Sequence, residues 1–298
     1  MEKLLRSIKV VLGLPQADVE IIHTLGGMTN INYLVAINDE RYIVRVPGNG
    51  TGSFIKRKEE EENLKLTAAL GINPKHIYFN VESGLKITKE ISDANTLTPQ
   101  TANVSETMQM VASVFTKLHS SPIPMNNRFD LFSLIKRFEM LVLQEHVQKF
   151  QGYEEVKKAV VALKVYYESL VVEECPSHID PSYTNFILKG TEDLYLIDWE
   201  YSGMFDPLWD LAAYSMESGF SESEEEQFFS FYFKRPLSQV ESERVLMHKI
   251  FQDYLWSLWT MFKEAKGDDF GIYGQKRFER AKKNLKVFEE TFRGGNVL

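Results

Sequence analysis

The chain has 298 residues, 44% hydrophobic and 26% charged, a balance that excludes a disordered or fibrous protein and allows one large domain or two smaller ones. The formal net charge of −8 argues against a general affinity for nucleic acid, and no apolar run is long enough to insert into a membrane. A single cysteine, Cys175, excludes an internal disulfide and a cysteine-cluster metal site. We therefore expect a cytoplasmic protein.

Short β-rich runs dominate the first 92 residues and are separated by Gly, Asn and Asp turn signals. The runs are VEIIHTL, INYLVAI, RYIVRV, HIYFN and LKITKEI. One helix is predicted between the third and fourth runs, in SFIKRKEEEENLKLTAAL, with Ser53 as its N-cap and Gly71 as its stop. We therefore predict a small β-rich lobe over residues 1–92.

Helical periodicity takes over after residue 92 and continues through most of the chain. It is clearest in SETMQMVASVFTKLHS, LFSLIKRFEMLVLQEH and YEEVKKAVVALKVYYESL, and it resumes from Asp206 onward. A short β-like pair, NFIL and LYLID, interrupts it. The sequence thus predicts an α+β protein whose second lobe, residues 93–298, is large and mainly helical, with a ligand cleft between the lobes.

Side chains with oxygen atoms that can act as metal ligands are concentrated in SHIDPSYTNFIL and in the LYLID run that follows. Carboxylates and an amide suit Mg²⁺ bound to a nucleotide and do not suit zinc. The spacing H-x-D-x-x-x-x-N before a strand-terminal Asp is typical of the kinase catalytic loop. In that pattern Asp180 is the base that takes the acceptor hydroxyl's proton, and His178 braces the loop. Asn185 and Asp198 hold Mg²⁺.

Each of these residues taken alone also has a structural interpretation. Asp180 precedes Pro181 in a common turn element, Asn185 can cap a strand, and Asp198 can be a surface residue at a strand end. Because the three occur together and in order after a β-rich lobe, we favour the functional interpretation.

A candidate phosphate-binding turn lies in the first lobe, in LGGMTNINYLV. Gly26 and Gly27 stand between two predicted strands, where residues without a Cβ let backbone N–H groups approach phosphates. We assign Gly26, Gly27, Thr29 and Asn30 to nucleotide binding. A plain hairpin turn is the alternative explanation for the glycines.

Further nucleotide contacts are predicted from RYIVRVPG and ITKEISDANTL. Arg45 stands on the third strand where a protein kinase carries Lys, and Glu60 of the next helix is its predicted ion-pair partner. An exposed strand cation and a solvated helix face are the alternatives, and the acidic run over 59–62 leaves the choice of partner open. Main-chain groups of Glu90 and Ile91 are placed to read the adenine edge.

Longer stretches resemble a known family. HIDPSYTNFIL and LYLIDWEYSGMFDPLWDLA are similar to the catalytic segment of the choline/ethanolamine kinase group within the aminoglycoside-phosphotransferase-like kinases, in particular its bacterial choline kinases. GGMTNINYLV, RVPG, FIKRKEEEENL, SDANTL and WSLWTMFKEAKGDDFGIYG extend the resemblance over nearly the whole chain. It implies a bilobal protein-kinase-like fold, ATP and Mg²⁺ as cofactors, and phosphorylation of the choline hydroxyl. One departure is Ile179, where family members often have Gly or Asn.

A choline site needs aromatic faces and a nearby negative charge, because a quaternary ammonium cannot donate a hydrogen bond. Trp256 and Trp259 are three residues apart in a helical stretch and share a face. The resemblance adds Tyr201 and Tyr273 as aromatic walls and Glu217 as the acid that faces the cation. For an arbitrary helix, such a Trp pair is more typical of a core.

Other functions stay open at this point. Ethanolamine or another amino-alcohol would need hydrogen-bond acceptors for a primary ammonium, and an aminoglycoside would call for an acidic cleft. A non-catalytic choline- or nucleotide-binding sensor would not need the three loop residues together.

Asp206 and Asp210 are predicted to be structural, as a helix cap and a loop brace. The run SESEEEQ is predicted to be a capped helix start.

Overall fold

The computed structural model describes residues 2–25, 27, 29–48 and 50–292, without the side chain of Lys3. The first lobe opens with a helix that was not predicted, so the expectation of one helix in this lobe is wrong. It continues with a five-stranded antiparallel sheet of order β1-β2-β3-β5-β4. Its elements are α1 (Glu2–Val11), β1 (Val19–Leu25), β2 (Asn30–Ile37), β3 (Glu40–Pro47), β4 (His76–Phe79) and β5 (Lys86–Lys89). All five predicted strands are confirmed.

Alternation of apolar and polar residues decides which face of this sheet is buried. Val35, Val44 and Ile87 have no exposed surface and share one core with Ile8 of α1. The helix therefore covers one face of the sheet.

Helix α2 (Arg57–Ala68) begins later than predicted. Residues Thr51–Ser53 form a separate 3-10 turn, in which the N–H groups of Phe54 and Ile55 both donate to the carbonyl of Thr51. The prediction of Ser53 as the N-cap is therefore wrong, because Ser53 lies inside that turn. Gly71, at φ 64°, lies in the turn that follows the helix.

The second lobe is mainly helical and contains two small sheets. Its helices are α3 (Pro99–Ala102), α4 (Ser105–His119), α5 (Leu131–Gln144), α6 (Tyr153–Glu168), α7 (Pro207–Ser218), α8 (Glu222–Phe233), α9 (Gln239–Ala265) and α10 (Tyr273–Phe292). Its strands are β6 (Ala94–Thr96), β7 (Cys175–Ser177), β8 (Phe186–Lys189), β9 (Asp193–Leu196) and β10 (Gly203–Phe205). The predicted β-like pair is β8 and β9, in which Phe186 pairs with Leu196.

Helix α9 forms the centre of this lobe and packs against α5, α6, α7 and α10. Most of its residues from Val245 to Lys263 are buried, including Trp256 and Trp259. Among the described residues, no helix combines the length and the apolar character needed to cross a bilayer.

The two lobes meet through polar groups and a shared core. Asn63 of α2 donates from Nδ2 to the carbonyl and hydroxyl oxygens of Ser202 and to Oδ1 of Asn127, each at 3.0 Å. Ile72 packs in the same core as α4 and α7. Since β5 ends at Lys89 and β6 already pairs with β8, a lobe boundary at residue 92 remains our proposal.

Candidate active site

The loop that carries Asp180 is held by one buried carboxylate. Asp210 of α7 accepts the N–H of His178 on Oδ2 at 2.7 Å and the N–H of Ile179 on Oδ1 at 2.8 Å. The indole of Trp209 donates to the carbonyl of Ile179 at 2.7 Å. The prediction that Asp210 braces the loop is confirmed.

Ile179 has a backbone conformation that its side chain disfavours. Its φ is 78°, in the left-handed region, although it is β-branched and fully buried. Such a conformation costs about 1–3 kcal/mol and persists where the surroundings fix it. The bonds from Asp210 and Trp209 supply that constraint. Gly or Asn would adopt the same φ at lower cost.

Hydrogen bonds to main-chain carbonyls bring the predicted catalytic and metal-binding residues together. Asn185 Nδ2 donates to the Asp180 carbonyl at 2.8 Å, which orients the amide and leaves Oδ1 as its acceptor atom. The Ile197 N–H donates to the Asn185 carbonyl at 2.9 Å, immediately before Asp198. His178 Nε2 donates to the Ile197 carbonyl, also at 2.9 Å. The two loops are therefore joined on both sides of the site.

His178 is fully buried, and burial lowers the pKa of its imidazole. Its ring meets the indole of Trp199 edge-to-face, with centroids 4.8 Å apart. A neutral ring that donates from Nε2 to a carbonyl positions the loop and is a poor proton shuttle.

Burial, together with the negative charges of Glu217 and Asp198, raises the pKa of Asp180 to about 7. The guanidinium of Arg277 opposes them. A carboxylate with a pKa near 7 is suited to take a proton from an alcohol at neutral pH.

Arg45 links the first lobe to the second. It is 5% exposed, and its Nη2 donates to Glu60 Oε2 at 2.8 Å, so the predicted partner is confirmed. Its Nη1 lies 3.0 Å from Asp198 Oδ1 and 3.5 Å from Glu200 Oε2. Lys86, which the sequence did not single out, donates to Glu60 Oε1 at 2.9 Å.

Glu200 is a second acid that sequence reasoning missed. Burial and the charge of Asp198 raise the pKa of Glu200 to about 8. Asn30, predicted to bind the nucleotide, donates from Nδ2 to Glu200 Oε2 at 3.0 Å. The sequence feature that could have identified Glu200 is its position two residues after Asp198, in the DWEY stretch.

The predicted phosphate turn is only partly described. Gly26 lies outside the described residues, and Thr29 is half-buried at the start of β2. A Cβ on Gly27 would lie 2.4 Å from the Asn30 carbonyl oxygen, so this position requires glycine.

The segment predicted to read the adenine edge follows β5. The Glu90 N–H donates to the Arg41 carbonyl at 3.1 Å, so this amide extends the sheet. The half-buried Ile91 follows it.

The predicted aromatic walls form a contiguous row. The ring centroids of Tyr201 and Trp256 are 5.3 Å apart, and those of Trp256 and Trp259 are 6.5 Å apart, both edge-to-face. Phe270, which was not predicted, extends the row at 4.9 Å from Trp259. Burial raises the pKa of the Tyr201 phenol, and the charges of Glu200 and Asp180 add to this effect. The Tyr201 end of the row therefore lies near the carboxylates of Glu200 and Asp180.

Tyr273 and Glu217 are brought together by Arg277, which sequence reasoning also missed. Arg277 Nη2 donates to Glu217 Oε1, and its guanidinium carbon lies 4.8 Å from the Tyr273 ring centroid. Its position four residues after Tyr273, on the same helix face, was the signal.

The donor set fits Mg²⁺. The Asp198 carboxylate and the Asn185 amide oxygen are hard ligands on adjacent loops. Within the described ranges, no three His, Cys, Asp or Glu side chains are grouped so as to hold a metal ion. An ion at this position would therefore depend on nucleotide phosphates for its remaining ligands.

Comparison with known proteins identifies the family. The choline/ethanolamine kinase family model matches residues 20–249. The choline kinase LicA from Streptococcus pneumoniae is 38% identical, with a TM-score of 0.84 over 96% of this chain and 99% of that one. A LicA structure in complex with AMP has the same identity and TM-score.

Protein LicA of Haemophilus influenzae is 28% identical over 90% of this chain and 79% of that protein. Spectinomycin phosphotransferase, 12% identical with a TM-score of 0.65 over 97% of this chain and 98% of its own, shares the fold. The bilobal protein-kinase-like fold expected from the sequence is thereby confirmed. Together with the loop geometry, these matches show that the chain is a kinase and belongs to the choline/ethanolamine kinase family.

Proposed function

We propose that this kinase transfers the γ-phosphoryl group of ATP to the hydroxyl of choline, giving phosphocholine and ADP. The observation that carries the proposal is the position of Asp180. Its carboxylate, with a pKa of about 7, shares one charge cluster with Asp198 and Glu217 and lies beside the aromatic row. The S. pneumoniae relative, a choline kinase, supports the same substrate.

Asp180 takes the proton of the choline hydroxyl as the oxygen attacks phosphorus, a role that typically contributes 10²–10⁴-fold to the rate. Asp210 and Asn185 hold the loop so that this carboxylate keeps its direction. Arg45 compensates negative charge on the phosphates.

Asn185 and Asp198 would hold Mg²⁺, which when bound neutralises charge on the phosphate oxygens. The phosphates lie by Gly27 and Thr29, and the adenine edge by Glu90 and Ile91. Gly26, adjacent to Gly27, belongs to the same proposed turn.

Choline recognition rests on the aromatic row and one acid. Tyr201, Trp256 and Trp259 offer faces to the trimethylammonium group, with Tyr273 as a further wall. Glu217 supplies negative charge near the cation. A primary ammonium such as that of ethanolamine gains less from aromatic faces and needs hydrogen-bond acceptors, so we expect it to be the weaker substrate.

The first test is ADP formation by the purified protein with ATP and Mg²⁺, comparing choline, ethanolamine and an aminoglycoside at matched concentrations. We expect choline-dependent turnover, weaker turnover with ethanolamine and none with the aminoglycoside. Asp180→Asn should lower kcat by at least about 10²-fold while choline still binds.

Two outcomes would contradict the proposal. Turnover of the Asp180→Asn variant near the wild-type rate would mean that another group is the base. Binding of choline and ATP without turnover by the wild-type protein would support the sensor instead.

A further inference from the structure

Arg277 is a buried cation where α7, α9 and α10 meet. It is 4% exposed, and its Nη1 donates to Asp253 Oδ1 at 3.0 Å, while its Nη2 donates to Glu217 Oε1. Asp253 precedes Trp256 by one helical turn and is fully buried. Arg277 therefore fixes the position of Glu217 relative to the helix that carries the aromatic row.

The pair changes what Glu217 offers to a ligand. One carboxylate oxygen already accepts an N–H from Arg277, and the guanidinium cancels much of the carboxylate charge. A primary ammonium brings three N–H donors that need acceptors when they leave water. A quaternary ammonium brings none and relies on aromatic faces. Because Arg277 occupies Glu217, binding of a primary ammonium is weakened more than binding of a quaternary ammonium.

The contact between Arg277 and Tyr273 also favours a quaternary over a primary ammonium. The Arg277 guanidinium stacks on Tyr273, so one face of this ring already carries a cation. The rings of Tyr201, Trp256 and Trp259 contact one another and have no cation stacked on them among the described contacts. A ligand cation bound between the row and Glu217 would meet aromatic faces on one side and an already occupied acid on the other.

We infer that Arg277 is a specificity-determining residue that favours choline over ethanolamine by occupying Glu217. This inference rests on the proposed function, because it assumes that the cationic group of the substrate lies in this pocket.

The test uses the purified full-length chain and does not require turnover. Quenching of tryptophan fluorescence, with Trp256 and Trp259 as reporters, gives the Kd of choline and of ethanolamine without nucleotide. Arg277→Gln frees Glu217 as an acceptor, so we expect the ratio of the ethanolamine Kd to the choline Kd to fall by at least about fivefold.

Arg280→Gln is the matched control. Arg280 donates to the same Asp253, at 2.6 and 2.7 Å, from the same helix, and no contact to Glu217 is among its described bonds. We expect its ratio to match that of the wild-type protein. An unchanged ratio in Arg277→Gln, or an equal fall in Arg280→Gln, would overturn the inference, the latter by showing that docking of α10 alone sets the ratio.

Arg277→Lys covers the case in which Arg277→Gln does not fold. Lysine keeps the charge but lacks the planar group of donors that lets arginine bind two carboxylates. We therefore expect a smaller fall in the ratio of the ethanolamine Kd to the choline Kd. An unchanged ratio would overturn the inference. Failure of the proposed function is seen separately, as absence of choline-dependent ADP formation by the wild-type protein.

Discussion

Asp180 destabilises the folded chain increasingly as the pH rises. Burial, Glu217 and Asp198 raise its pKa from the ordinary 3.8 to about 7. Between these two values the folded protein holds a proton that the unfolded chain has released. The free energy of unfolding therefore falls as the pH rises through this window.

Asp180→Asn should remove this effect. In protein free of metal and nucleotide, we expect the variant's stability advantage over wild type to be larger at pH 8 than at pH 5 by on the order of 2 kcal/mol. Thermal unfolding at both pH values measures it. Asp193→Asn, at an exposed carboxylate, serves as the control for the loss of one acid, and the difference between the two pH values should be larger in Asp180→Asn. An advantage of equal size at both pH values would show that ionisation of Asp180 is not its cause.

Sequence reasoning at the residue scale succeeded where chemistry is encoded in a local motif. Asp180, Asn185 and Asp198 follow one another within a short segment, and the structure brings their loops together. Glu217 and Arg277 are 60 residues apart, so their pairing depends on how α7 and α10 pack. No spacing of neighbouring residues in the sequence predicts such a contact.

At the scale of elements, Asp206 joins three helices of the second lobe. It is fully buried and caps α7 through the Leu208 N–H at 3.0 Å, so the predicted cap is confirmed. It also accepts from Arg244 at 3.0 Å and His248 at 2.8 Å, both on α9, and from Tyr167 of α6 at 3.3 Å. Burial alone would raise the pKa of Asp206, but His248 and Arg244 lower it below its ordinary value.

Asp206→Asn should therefore destabilise the protein in a pH-dependent way. A carboxylate with a lowered pKa contributes stability above its ordinary pKa and loses it as the pH falls through the lowered value. We expect a loss of about 3 kcal/mol at pH 7, measured by urea unfolding, and a smaller loss below pH 4.

Asp130 provides the matched control for this cap. It caps α5 through the Ser133 N–H at 3.0 Å, and no ion pair of its carboxylate is among the described contacts. Asp130→Asn should cost less than about 1 kcal/mol, since Asn is also a good N-cap. Equal losses in the two variants would show that the ion pairs of Asp206 add little to its capping role.

Most of the predicted elements show a periodic pattern or lie between turn signals. Strand β2 and helices α4 and α6 repeat their apolar residues several times. Helix α1 is long enough to show a helical period, but it was not among the predicted elements. Strands β6, β7 and β10 have three residues each, too few for alternation to register. The capping box at Ser221 that begins α8 is a local signal and is confirmed.

At the scale of the whole molecule, Arg45 connects the first lobe to the carboxylate of Asp198, the proposed metal ligand. It pairs with Glu60 within its own lobe and with Asp198 and Glu200 of the second lobe. Phosphates entering the cleft would bring negative charge to the same guanidinium. Arg45 therefore couples nucleotide binding to the relative position of the lobes.

Arg45→Gln should weaken ATP binding much more than choline binding. The loss of charge-assisted bonds to phosphate predicts an increase of about tenfold or more in the ATP Kd, while the choline Kd changes by less than about twofold. Calorimetric titration with each ligand measures both values. Lys65→Gln, in the same lobe, is the control: the Lys65 side chain is 60% exposed and its Nζ lies 2.8 Å from Glu61 Oε1 in the same helix, so neither Kd should change. Equal weakening of both ligands by Arg45→Gln would mean that Arg45 maintains the overall structure of the cleft rather than its nucleotide side.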